Sequence, residues 1–168
     1  RMDIIKWINR ILSWEPNARI VLHGVSMGAA TVLMASGEDL PENVKAVIAD
    51  CGYTSEWDEF QREADTLHIP WFPVLNATSV LSKVRDGYDF KQASALAQVK
   101  KSRIPTLFIH GSSDELVPYS MLGELYAAAA CEKEELTVEG AGHALSSSVA
   151  PTLYWRTVED FIAKYLDR

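Results

Sequence analysis

Arg19-Ile20-Val21-Leu22-His23-Gly24-Val25-Ser26-Met27-Gly28-Ala29-Ala30-Thr31-Val32-Leu33-Met34-Ala35-Ser36-Gly37 is the stretch that decides the fold. Its first five residues are a short β-branched and leucine run, suited to a buried strand. Residues 29–36 are apolar on every side and end at Gly37, the pattern of a buried helix with a glycine stop. Between the two lies Gly24-Val25-Ser26-Met27-Gly28. A strand that turns straight into a helix forces the central residue into a strained backbone conformation. Small residues two positions to either side then let strand and helix come close. Gly24 and Gly28 are expected to supply that room, leaving the Ser26 hydroxyl exposed at the apex. The helix N-terminus behind it offers unpaired N–H groups to a developing negative charge. A plain Gly/Ser turn has the same composition, so the reading depends on whether the chain also supplies an acid and a base.

It supplies both. Thr106-Leu107-Phe108-Ile109-His110 is a second buried-strand pattern, and it runs into Gly111-Ser112-Ser113-Asp114. Asp114 therefore falls just past the carboxyl end of a strand, the edge at which open parallel sheets gather ligand-facing groups. Glu135-Leu136-Thr137-Val138 is a third strand pattern, followed by Glu139-Gly140-Ala141-Gly142-His143. His143 sits on a loop that two glycines make compact. A serine hydroxyl is a poor nucleophile until a base takes its proton. Histidine titrates near neutrality and can take that proton and return it. Asp114 would fix the imidazole tautomer and stabilise the cation. Asp50, at the end of the strand pattern 44–49, is the alternative acid, because it reaches the same sheet edge. Asp114 could instead be a turn-former, and His143 a surface residue. His23 and His110 are expected to orient loops, and His68 to lie on the surface or line a pocket. No two histidines have metal-ligand spacing with a carboxylate, so no metal is expected.

Composition narrows the remaining classes. The chain has 168 residues, 48% hydrophobic and 23% charged, with a net charge of −7. Length suits one domain with a real core. The acidic balance, with no basic cluster, argues against nucleic acid and against a polyanionic substrate. No apolar run approaches the ~20 residues of a membrane-spanning helix. The two cysteines, Cys51 and Cys131, form no metal or redox motif. Localisation is left open.

Strands at 19–23, 44–49, 106–110 and 135–138 alternate with helices at 3–14, 27–36, 118–131 and 151–166. That alternation predicts an α/β domain with a parallel sheet of about four strands. The stretch 54–101 is too long for an ordinary crossover. It carries Trp57, Phe60, Trp71, Phe72, Tyr88 and Phe90, broken by Pro70 and Pro73. It reads as a small helical lid or cap inserted in the domain, with Trp57, Trp71 and Phe72 lining an acyl or alcohol pocket. Ordinary core packing of those rings is the equal alternative.

With the three motifs in hand, the chain resembles an α/β-hydrolase over nearly its whole length. Leu22-His23-Gly24-Val25-Ser26-Met27-Gly28-Ala29 resembles the nucleophile elbow. Phe108-Ile109-His110-Gly111 with Asp114, Val117 and Pro118 resembles the acid loop, and Gly140-Ala141-Gly142-His143 the histidine loop. The order Ser26, Asp114, His143 is that of the family. Ala49-Asp50-Cys51-Gly52-Tyr53-Thr54-Ser55 and Asp86-Gly87-Tyr88-Asp89-Phe90 look like a bacterial subgroup close to prolyl-oligopeptidase-type and cinnamoyl-esterase-like members. The resemblance implies a partial three-layer fold spanning 1–168, the C-terminal part of a longer protein. It implies a Ser26–Asp114–His143 triad, half an oxyanion hole at the Met27 N–H, and a second donor from a loop outside this sequence. It further implies that strand 19–23 has one open edge, meeting an N-terminal segment or a second chain. The activity implied is hydrolysis of a carboxylic ester or small acyl substrate without a cofactor. A peptidase or amidase, a non-catalytic ligand-binding member and a cofactor-free lyase are the other readings.

Overall fold

In a computed structural model, which describes residues 1–166, four strands form one parallel sheet in the order β1-β2-β3-β4. The strands are β1 (Ile20–Val25), β2 (Val44–Asp50), β3 (Thr106–Gly111) and β4 (Lys133–Val138). Helices α1 (Met2–Trp14), α2 (Met27–Ser36), α5 (Ala95–Val99), α6 (Ser120–Ala128) and α8 (Pro151–Leu166) cover the sheet, and α7 (Ser146–Val149) is a single turn before α8. Helices α3 (Glu56–Thr66) and α4 (Trp71–Asp86) fall between β2 and α5, with a 3-10 turn at Phe90–Gln92.

The period-2 alternation of the strands sorts their side chains into two cores. Ile20 and Leu22 of β1, Val47 and Ala49 of β2 and Phe108 of β3 pack against α1, α2, α5 and α6 through Ile8, Leu33, Val99 and Leu125. Ala46, Ile48, Leu107 and Ile109 face the other way, onto Tyr154, Val158 and Phe161 of α8. Both faces of the sheet are therefore covered, and the two central strands, β2 and β3, are buried almost throughout, whereas the edge strand β4 is only partly buried. The three-layer α/β architecture is the one the sequence predicts.

Three boundaries shift for local reasons. β1 continues to Val25, directly against the turn at Ser26. β4 begins at Lys133 instead of 135, because the Lys133 ammonium reaches the Tyr126 and Ala129 carbonyls at the end of α6 (2.6 and 2.8 Å). α6 starts at Ser120, not 118, since Pro118 and Tyr119 form a turn whose carbonyls accept from Met121 and Leu122.

The stretch 54–101 divides. Its last part is not a lid: Ala93, Ala95 and Val99 are each 1% exposed, and α5 packs on α2 and α6. α3 and α4 stand outside the two cores and leave Phe72, Val80, Leu81 and Val84 on the surface. Among the described residues, β1 pairs with β2 alone and β4 with β3 alone, so these two are the sheet's edges. No helix of the described chain is long and apolar enough to cross a membrane.

Candidate active site

Ser26 caps α2 with φ 55° and ψ −119°, a left-handed conformation that a non-glycine residue adopts only under constraint. Part of the constraint is a hydrogen bond from the Ser26 N–H to the Asp50 carbonyl (2.8 Å). Gly24 supplies the rest: a Cβ there would lie 2.2 Å from the Gly28 carbonyl oxygen. Gly28 differs from expectation. A Cβ at Gly28 would meet nothing within 4 Å, so the close approach needs a glycine only on the strand side of the turn.

The Ser26 hydroxyl lies 2.8 Å from His143 Nε2, and His143 Nδ1 lies 2.9 Å from Asp114 Oδ2. An ionised carboxylate only accepts, so Nδ1 carries the proton and donates it to Asp114. Nε2 is then left with a lone pair, which accepts from the serine. The other carboxylate oxygen of Asp114 accepts from the Leu116 and Val117 N–H groups (3.0 and 2.9 Å). His110, 1% exposed, donates from Nε2 to the Val117 carbonyl (3.0 Å) and stands 3.3 Å from Asp114 Oδ2. His110 thus orients the acid loop. The Asp114 carboxylate is fully buried, whereas 21% of the His143 side chain remains accessible to an incoming molecule.

A second glycine brings acid and base together. A Cβ at Gly111 would fall 2.2 Å from the Ala141 carbonyl oxygen. The end of β3 can therefore lie against the histidine loop, where Ser113 N–H donates to that same carbonyl (3.0 Å). Met27 is the first residue of α2, so its N–H has no acceptor within the helix and stands beside Ser26.

Asp50, the alternative acid, is not paired with His143. Its carboxylate, 1% exposed, accepts from the Ser146 hydroxyl (3.1 Å) and from Tyr154, and burial pushes its pKa up. Cys51 follows with φ 48°, its thiol buried close to Asp114 and His143. Burial first, then the Asp50 charge, pushes that thiol up to about 12. Donor atoms of Cys51, Asp114 and His143 lie within 4.8 Å of one another and could in principle hold a metal ion. Each of them already has protein partners: Asp114 and His143 each other, and Cys51 the Ala144 and Ser26 backbone.

Trp57, Trp71 and Phe72, the candidate pocket-lining aromatics, are not gathered at the serine. Trp57 lies under the Lys91 ammonium, 4.3 Å from its ring centroid. Phe72 is 67% exposed. Trp71 lines an apolar cavity of about 260 Å³ between α3 and α4, with Phe60, Leu67, Val74, Leu75 and Phe90, and no triad residue borders it. The rings pack α3 and α4 on each other because these helices share few contacts with the sheet layers. His68 is exposed in the turn between them. What α3 does bring to the triad is charge. The Glu59 carboxyl, raised chiefly by burial, interacts with His143 and Asp114, and the Arg62 guanidinium donates to the Leu116 carbonyl in the acid loop.

Three comparisons bear on this arrangement. The model of the prolyl oligopeptidase family matches residues 2–168. The chain is 32% identical over 165 residues to the uncharacterized protein YqkD of Bacillus subtilis, covering 95% of this chain and 53% of YqkD. It is 31% identical over 157 residues to the alpha/beta hydrolase domain-containing protein WAV2 of Arabidopsis thaliana, covering 88% and 48%. The chain thus spans about half the length of the curated relatives it matches. Among solved structures it is similar to the Pyrococcus furiosus esterase Pf2001, with a TM-score of 0.72, 19% identity, and coverage of 98% of this chain and 61% of that one. The Pyrococcus horikoshii acylaminoacyl peptidase gives 0.70 at 20% identity, with 98% and 27% covered. At such identities the structural likeness concerns the fold.

Proposed function

The chain belongs to the prolyl oligopeptidase family, serine hydrolases of the α/β fold, and from that premise we propose that Ser26, His143 and Asp114 are its catalytic triad, acting on a carboxylic ester or small acyl substrate. The observation that carries the proposal is the continuous hydrogen-bond path from the Ser26 hydroxyl through both imidazole nitrogens to Asp114 (2.8 and 2.9 Å).

The geometry gives each group one task. As Ser26 Oγ attacks the carbonyl carbon, His143 Nε2 takes its proton. Asp114 stabilises the imidazolium and keeps the ring oriented. The carbonyl oxygen becomes an oxyanion, and the Met27 N–H at the head of α2 donates to it. Collapse of the tetrahedral intermediate expels the alcohol, which takes the proton from Nε2, leaving an acyl-Ser26. Water, deprotonated by Nε2, then attacks the ester and restores Ser26.

One donor is half an oxyanion hole. The second donor, in this reading, comes from polypeptide that pairs with the open edge of β1, either a preceding segment or a second chain. Loss of one donor costs ~2.7–4 kcal/mol of transition-state stabilisation. Residues 1–168 alone are therefore expected to turn over far more slowly than the full-length protein. α3 and α4 form a lid whose acidic flank at Glu59 borders the triad.

A fluorophosphonate probe on the full-length protein should label Ser26, and Ser26→Ala should abolish both labelling and ester hydrolysis. Labelling and turnover that survive Ser26→Ala would refute the assignment. The family match favours peptide bonds as a second reading. It uses the same residues, and a panel of paired ester and amide substrates separates the two.

A further inference from the structure

We propose that Asp50 is a positioning residue for the triad, holding the nucleophile turn and the histidine loop in register from the sheet strand between them. The inference rests on the roles given to Ser26 and His143 above.

Asp50 ends β2, which lies between β1 and β3. It grips the two halves of the site with different atoms. Its main-chain carbonyl accepts from the Ser26 N–H (2.8 Å). Its carboxylate accepts from the hydroxyl of Ser146 (3.1 Å), a fully buried residue three positions after His143. The carboxylate also accepts from the Tyr154 hydroxyl on α8. Tyr154 in turn stands 3.0 Å from Nε2 of His23, three positions before Ser26.

The protons can be counted. A carboxylate only accepts, so Ser146 and Tyr154 must each spend their single hydroxyl proton on it. The Tyr154 oxygen is then free to accept from His23 Nε2–H. Every member is satisfied in one direction, from His23 through Tyr154 to Asp50, and from Ser146 to Asp50. No other arrangement of these four groups satisfies them all while Asp50 is charged.

The histidine loop shows why such a grip matters. Entering the loop, Ala141 is held against β3 at Gly111. Leaving it, the chain passes through Ala144 with φ 57° and is tied down at Ser146. His143 lies between the two anchors. Removing the second leaves the imidazole fixed from one side, and a misplacement of ~1 Å at a reacting group costs on the order of 10²-fold in rate. A buried carboxylate is also an expensive way to fill space: an apolar side chain of similar volume would be cheaper. Its presence is explained by the donors it orders.

The test compares wild type, Asp50→Asn, Ser146→Ala and the double variant in the full-length protein, by steady-state ester hydrolysis and thermal unfolding. Asparagine keeps the shape, but the Tyr154 hydroxyl, whose oxygen already accepts from His23, takes the amide oxygen, so the amide nitrogen turns the Ser146 contact around. Each single change is expected to lower kcat about tenfold with KM within about twofold. The double variant should be no worse than the poorer single, because both changes break one contact. A folded Asp50→Asn with kcat within twofold of wild type overturns the proposal, as do losses that multiply in the double variant or fall on KM alone. Should Asp50→Asn fail to fold, Ser146→Ala decides by the same kcat criterion. Failure of the underlying triad reading looks different: wild type and Ser26→Ala would then hydrolyse and label alike.

Discussion

Replacing Gly111 with alanine tests the contact that joins acid and base. The backbone at Gly111 is not in the left-handed region, so alanine meets only a steric problem. Its Cβ would lie 2.2 Å from the Ala141 carbonyl oxygen, 2.7 Å from the carbonyl carbon and 2.9 Å from the Ala141 Cβ. Ordinary contact is ~3.5 Å, so β3 and the histidine loop must part by about 1 Å. The atoms pressed upon are backbone, which cannot turn aside. Asp114 follows Gly111 by three residues and His143 follows Ala141 by two, so the parting is applied almost directly to their 2.9 Å hydrogen bond. Separation on that scale is expected to lower kcat on the order of 10²-fold. Overpacking of this kind costs ~1–3 kcal/mol, which lowers Tm by ~2–4 °C per kcal/mol in a chain of this size. Ester hydrolysis and thermal unfolding of the full-length protein measure both. Wild-type kcat together with an unchanged Tm would refute the reasoning.

Asp114→Asn is expected to lower kcat by ~10³–10⁴-fold with little change in Tm, because the amide donates to Nδ1 and forces the proton onto Nε2; a loss below tenfold would count against Asp114 as the orienting acid. Glu59→Gln should raise Tm at pH 7 and leave it unchanged near pH 4. Burial raises the Glu59 carboxyl in the folded state, so the folded chain holds that proton more tightly than the unfolded one. The cost of the buried charge is then present at neutral pH, fades as pH falls through the raised value and vanishes below the free value of ~4.3. Equal Tm values at pH 7 would contradict it. Cys51, buried and pushed up to about 12, should resist iodoacetamide in the native protein at pH 8 while the partly exposed Cys131 is alkylated. Mass spectrometry reads the two sites, and faster modification of Cys51 would contradict its burial.

The parts legible in the sequence are those set by local pattern. Strand 20–25, the helix after it and the elbow between them lie within a few residues of one another, and their apolar runs and glycines carry the information. Asp114 and His143 each follow a strand end closely, so parallel topology alone brings them to one rim. The stretch 54–101 is less legible. Trp57, Trp71 and Phe72 read equally as pocket lining or as packing in the sequence, because where an aromatic ring packs depends on what its helix rests against. α3 and α4 rest mainly on each other, so Trp71 turns into the cavity between them. Gly28 illustrates the same limit: the motif contains it, yet only the three-dimensional path of the backbone tells that Gly24 alone meets a neighbour. Asp50 was singled out for its place at the sheet edge. Its partners Ser146 and Tyr154 lie 96 and 104 residues away in sequence, and no spacing rule connects them.

The open rail of β1 has a practical use. It presents a row of main-chain amides and carbonyls on the strand that runs straight into Ser26, at the sheet edge opposite β4. A separate peptide able to add as a strand there would dock within reach of Ser26 and could be supplied in trans. Enzymatic turnover would then become a signal of strand addition, and the chain one component of a complementation reporter whose output depends on what is laid along that edge.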